Sequence, residues 1–190
     1  MSAAPRPDPS SSTEPAVTTG TSPVSSAAGR AHRRLETTLG TYVLAADGDD
    51  LVGVWREAQK KFPTPARLGE PAAGRHTVLD EADQQLLDYL AGRREAFELS
   101  LAPGGTRFQQ AVWDHLSTIP RGATTTYGEI ARALGRPRAA QAVGAAVGSN
   151  PLSIVVPCHR VVGSAGGLTG YAGGVETKRA LLILEGALSA

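Results

Sequence analysis

The chain has 190 residues, of which 41% are hydrophobic, 19% charged and 5% aromatic, with a net charge of +1. One cysteine excludes intrachain disulfides and zinc sites built from two or more thiolates, and four scattered histidines without HxH or HExxH spacing argue against a metal centre. No run of 18 apolar residues occurs and the N-terminus lacks the basic-then-apolar layout of a signal peptide, so a cytoplasmic protein without membrane association is expected, with one domain or two small ones.

Residues 1–33 read as a disordered tail. Pro, Ser, Thr and Ala dominate its first 30 positions, and nothing there could bury enough apolar surface to offset chain entropy. Charge is polarised along the remainder: residues 31–120 carry a net −3 and residues 121–190 a net +4, so the C-terminal part is where an anionic partner would bind. Tyr42–Leu44 and Leu51–Trp55 flank a turn at Asp47-Gly48-Asp49-Asp50 and predict a hairpin. Leu79, Ala82, Leu86, Leu87 and Leu90 fall at helical spacing, and Phe97, Leu99 and Leu101 alternate like a strand. The Pro103-Gly104-Gly105 break marks a boundary between an N-terminal domain over 34–103 and a C-terminal domain over 104–190.

The second domain opens with a helix carrying Phe108, Val112, Leu116 and Ile119 on one stripe. Thr126 with Glu129 forms a capping box, and the helix it starts is expected to bury Ile130, Ala133 and Leu134. After the Gly135-Arg136-Pro137 turn, Pro137 suits the first position of a second helix over Arg138–Gly148. Helix, short turn and helix is a helix-turn-helix layout. The side chains of the second helix are nearly all tiny (Ala139, Ala140, Ala142, Gly144). Two readings stand: close packing against another helix, or close approach to a minor groove only about 6 Å wide.

Leu152–Val156 predicts a short buried strand leading to Pro157-Cys158-His159-Arg160. A lone cysteine can be a small buried hydrophobe. Here a histidine follows it directly, and a base within reach turns a thiol into a thiolate nucleophile. Adjacent side chains on a strand point to opposite faces, so a direct dyad needs a water or a local break in the strand.

Several segments carry a family resemblance. Val155–Val162 resembles the PCHR signature of the O6-alkylguanine-DNA alkyltransferases. Gly105–Trp113, Thr126–Ala131, Asn150-Pro151, Gly170–Gly174 and Lys178–Gly186 resemble further family segments, in family order. The resemblance implies an α+β fold: a small N-terminal α/β domain with an antiparallel sheet, then a mostly helical domain with a helix-turn-helix and a short active-site strand. It implies single-use transfer of an alkyl group from guanine O6 to Cys158, with no cofactor and no metal. By the same resemblance His159 is the general base, acting through a water, and Glu185 orients it. Tyr127 assists nucleotide rotation and donates a proton to the departing guanine. Asn150 is the hinge, and Tyr171, Ala172, Pro157 and Val161 form the guanine pocket. Arg160 is structural.

The implied partner is double-stranded DNA carrying O6-alkylguanine, bound through Arg138, Ala139, Ala140, Gln141, Ala142, Gly144 and Thr126. The flipped base is extracted from the minor groove. A monomer is expected, with cooperative binding along DNA as the alternative. The family's arginine on the recognition helix is replaced by Gln141, which is uncharged and stacks less well. Competing readings are a lesion-binding module without catalysis, a helix-turn-helix regulator whose cysteine only packs, and a cysteine hydrolase.

Overall fold

The computed structural model describes Met1 and residues 29–57, 59–168 and 170–189. The tail assigned to residues 1–33 therefore lies largely outside the described residues, but its last positions do not fit that reading. Strand β1 spans Arg30–Thr37 and pairs antiparallel with β2, Gly40–Asp47. β1 lacks a hydrophobic period because arginines hold it. Arg33 bonds Asp80 at 2.5 Å and Asp83 at 3.0 Å, and Arg30 bonds Asp47 at 3.1 Å.

The expected hairpin is present: β2 turns at Gly48-Asp49 into β3, Asp50–Arg56. Gly48 has φ +60°, a conformation that a Cβ disfavours. Gly53 is required differently, because a Cβ there would collide with the Trp55 indole. After a one-turn helix α1, Pro65–Leu68, the two-residue strand β4, Glu70–Pro71, pairs parallel with β1. The sheet, ordered β3-β2-β1-β4, is thus mixed rather than antiparallel.

Helix α2 spans Thr77–Leu90 and buries Val78, Leu79, Ala82, Gln85, Leu86 and Tyr89. Leu87, expected in that stripe, is exposed. The strand expected at Phe97–Leu101 is only an isolated bridge from Leu101 to Leu51. Gln85 explains why no ladder forms there: its amide donates to Glu98 O at 2.9 Å and its carbonyl accepts from Glu98 N at 2.8 Å, taking the backbone groups a strand would use.

Helix α3, Arg107–Ser117, starts at a Thr106/Gln109 capping box. The two-residue strand β5, Thr125–Thr126, precedes α4, Tyr127–Ala133, which carries the expected Thr126/Glu129 box. Ile130 and Ala131 are buried, whereas Ala133 is exposed. The second helix of the pair, α5, spans Ala140–Val147. Pro137 and Arg138 lie in the turn before it and Ala139 is its cap, so the helix starts later than the proline suggested. The Trp113 indole N–H donates to Ala146 O at 2.9 Å and fixes α5 on α3. Strand β6, Val161–Val162, pairs parallel with β5, and α6 spans Val175–Leu184.

One apolar core runs through both halves, from Tyr42, Leu44 and Leu86 to Leu116, Ile130, Ile154 and Leu181. Among the described residues no helix is long and apolar enough to cross a membrane.

Candidate active site

The segment before the cysteine is a turn rather than a regular strand. Leu152 bridges Val54 of β3, Ser153 bridges Val156, and Ile154 between them has φ +72°. A β-branched residue in the left-handed region is strained, and burial of the Ile154 side chain within the core holds it there. Asn150 ties the end of α5 to this turn. Its amide donates to Val156 O at 2.8 Å and its carbonyl accepts from Leu152 N at 3.0 Å.

Cys158, His159 and Arg160 then form a single 3-10 turn. This resolves the difficulty of neighbouring side chains on a strand, because in a helical turn they no longer point to opposite faces. His159 is fully buried, and Cys158 is 6% exposed.

Glu185 caps the C-terminus of α6, and its carboxylate is the hub of the site. His159 Nε2 lies 2.5 Å from Oε1. Arg160 Nε donates to Oε2 at 2.8 Å, and Arg160 Nη2 to Oε1 at 3.2 Å. The Tyr89 hydroxyl, reaching across from α2, donates a short hydrogen bond to Oε1. Arg160 also donates to Ile119 O at 2.5 Å and to the Tyr89 oxygen at 3.2 Å. Burial alone would raise the Glu185 pKa, but the bonds from His159 and Arg160 outweigh it and hold it at about 2. Glu185 is therefore an ionised acceptor at neutral pH, and all its partners are donors. His159 must carry its proton on Nε2 to donate to it. In the neutral ring Nδ1 is then the acceptor, and it is buried without a protein partner. Burial pushes the His159 pKa down, and the Arg160 charge on the same carboxylate limits the opposing pull of Glu185.

Burial pushes the Cys158 thiol up, opposed by the Asn150 hydrogen bond and the Lys178 charge. Lys178 is almost wholly buried, with Nζ donating to Val161 O at 2.5 Å. Burial lowers its own pKa. Tyr127 and Tyr171 both sit where a thiolate at Cys158 would be felt; burial, then that charge, raises their pKa values. Tyr171 stands edge-on to His159, with ring centroids 6.4 Å apart. Gly173 is needed beside it, since a Cβ there would lie 2.8 Å from the Tyr171 ring.

An open cleft of about 680 Å³ lies between α5 (Gly144, Ala145) and the Gly170–Gly174 loop, with Tyr171 and Ala172 in its wall. Its third side is Arg56, Lys60 and Lys61. Pro157 and Val161, expected in the same pocket, do not line it. Pro157 borders a separate cavity with Tyr89, Arg121 and Arg160, and Val161 is fully buried. Gln141 and Ala142 are exposed on α5, while Val143, Ala146 and Val147 face inward. One face of α5 thus packs on the core, and the other is open. Ala139 and Ala140 are half-buried at the helix start, and Arg138 is exposed just before it. Thr126 is occupied as a cap, accepting from Glu129 N at 3.2 Å. Among the described residues no group of three or more His, Cys, Asp or Glu side chains could hold a metal ion.

Residues 107–187 match the family described as 6-O-methylguanine DNA methyltransferase, DNA binding domain. A methylated-DNA–protein-cysteine methyltransferase of Methanosarcina acetivorans is 45% identical over 152 residues, covering 80% of this chain and 95% of the relative. The chain belongs to the methylated-DNA–protein-cysteine methyltransferase family. A family member from Mycobacterium tuberculosis is 44% identical over 154 residues, covering 81% of this chain and 91% of its own. The crystal structure of the Mycobacterium tuberculosis O6-methylguanine methyltransferase superposes with a TM-score of 0.75 at 43% identity, covering 85% of this chain and 95% of that one. A structure of the Mycobacterium tuberculosis protein in complex with DNA superposes with a TM-score of 0.74 at 43% identity, over 83% and 93% of the two chains.

Tyr89 at Glu185, Lys178 near Cys158 and Arg56 at the cleft are neighbours that sequence reasoning missed. Tyr89 continues the Ala82/Leu86 stripe of α2, where an aromatic with a polar tip signals a buried partner. Lys178 shares the buried face of α6 with Leu181, Leu182 and Glu185, and a lysine on an apolar stripe is a comparable signal.

Proposed function

We infer that this protein repairs DNA by transferring the alkyl group of O6-alkylguanine, methyl foremost, irreversibly to its own Cys158. What supports the reading is the buried Cys158-His159-Glu185 arrangement, in which one side of the imidazole is committed to an ionised carboxylate and the other is left to accept a proton.

The resting thiol is neutral because it is buried. His159 Nδ1 takes its proton through a water, and the resulting imidazolium is stabilised by Glu185. The thiolate attacks the alkyl carbon, the carbon–O6 bond breaks, and the bonding pair leaves with guanine. Tyr127 protonates the leaving base and regains a proton from the His159 imidazolium through water, so the proton lost by sulfur is balanced by one gained by guanine. Cys158 ends as a thioether, and each molecule acts once. No cofactor enters the reaction.

The base reaches Cys158 only by leaving the duplex, which costs a few kcal/mol and less for a damaged pair. The protein binds double-stranded DNA as a monomer in the cytoplasm. The open face of α5 with Gln141 and Ala142, preceded by Arg138, lies in the minor groove, and the base lodges between α5 and the Tyr171 wall. Asn150 holds α5 in register with the turn that leads to Cys158.

The test is intact-mass measurement after incubation with a duplex containing one O6-methylguanine. A gain of one methyl group per protein, absent in Cys158→Ala, is expected. An unmodified wild type after complete duplex binding would overturn the reading.

A further inference from the structure

The cleft has an asymmetric charge. Its α5 side comes from the uncharged helix AQAVGAAV, and no carboxylate lines any part of it. All its formal charge comes from the other half of the molecule, in Arg56 at the end of β3 and in Lys60 and Lys61 just after it. None of the three forms an ion pair with a described residue, although the adjacent Glu57 pairs with Arg34 at 2.9 Å. Arg56 and Gln59 are also tied to each other. Gln59 is buried, accepts from Arg56 N at 3.0 Å through its side chain, and donates its own N–H to Arg56 O at 3.0 Å. The Arg56 guanidinium is aimed by its Nε bond to Leu39 O at 2.9 Å and lies against Gly40. Lys61 has φ +61°, a conformation in which glycine would be at ease and lysine is not. A strained backbone that presents an unpaired cation to a cleft points to a ligand.

We propose that Arg56, Lys60 and Lys61 form a phosphate-binding wall for the DNA strand whose base occupies the cleft. The proposal rests on the alkyltransferase reading and adds a partner contact to it. A base lodged between α5 and Tyr171 carries its sugar-phosphate chain out through the open side of the cleft, and this wall is where that chain meets positive charge. Arg56 offers a fixed fork to one phosphate, and the two lysines act as point charges on its neighbours. The N-terminal half thereby supplies charge that the recognition helix, with Gln141, lacks.

The test uses the full chain with Lys60→Ala and Lys61→Gly, singly and together. Lys61→Gly removes the charge while relieving the strained φ, so its folding is preserved. Equilibrium binding to an O6-methylguanine duplex is measured against salt in a Cys158→Ala background. Each substitution is expected to reduce the salt slope by about 0.9 and to weaken low-salt binding by about fivefold. In proteins with Cys158 intact, the rate of transfer from the duplex divided by that from free O6-benzylguanine base, which has no phosphate, should fall by about tenfold or more in the double variant. An unchanged slope and ratio would overturn the proposal. So would an equal loss in Arg75→Gln, an exposed arginine outside the cleft. A wild type that accepts an alkyl group from neither substrate would instead overturn the alkyltransferase reading.

Discussion

In the N-terminal half, the sheet and α2 bury Tyr42, Leu44, Ala46, Leu79 and Leu86, and among the described residues there only Gln59, His76 and Gln85 are buried with strongly polar side chains. The C-terminal half buries Asn150, Ser153, His159, Arg160, Thr177, Lys178 and Glu185. Buried polar groups destabilise unless they are paired, so the two halves differ in what they contribute. The first is a packed platform. The second holds a polar cluster that such a platform must stabilise. The division is incomplete, because Tyr89 reaches Glu185 from α2 and Arg56 faces the cleft from β3. Cys158, His159 and Glu185 all belong to one half, while parts of their electrostatic setting come from the other.

The largest test of this contrast is Glu185→Ala. It leaves the Arg160 charge buried without its carboxylate, and a loss of about 3–5 kcal/mol in urea unfolding is expected together with loss of transfer. Acid should act on the same cluster. The folded pKa of His159 lies below its ordinary 6.5, and that of Glu185, at about 2, lies below 4.5. Both groups therefore bind protons more readily in the unfolded chain, and their stabilisation is present at neutral pH and lost on acidification. Unfolding free energy should begin to fall below pH 6.5 and fall further from 4.5 towards 2, with the second phase missing in Glu185→Gln.

Tyr89→Phe tests whether the N-terminal half is more than a platform. Losing one hydrogen bond to a buried carboxylate should lower stability by about 1–3 kcal/mol. With that donor gone, Glu185 interacts more strongly with His159 and raises its pKa, so the midpoint of the pH–rate profile should move to higher pH. An unmoved profile would return Tyr89 to a purely packing role. Lys178→Met removes a cation from beside Cys158. With that charge gone the thiol pKa rises further, so transfer at neutral pH should fall by about tenfold and recover in alkaline buffer. The smallest effect is expected from Gln141→Arg on the exposed face of α5, a gain of about threefold in duplex affinity or in single-turnover transfer. No gain in either would show that the glutamine is no handicap.

Local signals in the sequence carried a good part of this structure. The Asp47–Asp50 turn, the Thr126/Glu129 box and the 3.6-residue spacing of α2 and α3 are short-range features, and they read correctly apart from the exposed Leu87. Readings failed where tertiary contacts decide local geometry. The Leu152–Val156 run looked like a strand, yet β3 and the core bend it into a turn with Ile154 at φ +72°. Leu101 bridges β3 without joining a longer ladder, because Gln85 takes up the backbone of Glu98. The first residues of β1, assigned to the tail, escaped notice because arginine–aspartate pairs replace apolar alternation there. In the site, the Cys158-His159 adjacency was visible as a motif. The Tyr89–Glu185 bond joins residues 96 positions apart, and no spacing rule reaches that far.

The outer side of β3 has a consequence for handling the protein. β3 ends the sheet, and its free backbone groups are taken up in two places. Leu51 exchanges hydrogen bonds with Ser100 and Ala102, and Val54 with Pro151 and Ser153 at 2.8 and 3.0 Å. The segment leading to the reactive thiol is thus also the cover over a sheet edge, and an uncovered edge templates pairing with other chains. Loosening the 151–153 segment should expose this edge before the core melts, so that damage to the reactive turn emerges first as aggregation, with the helices still intact.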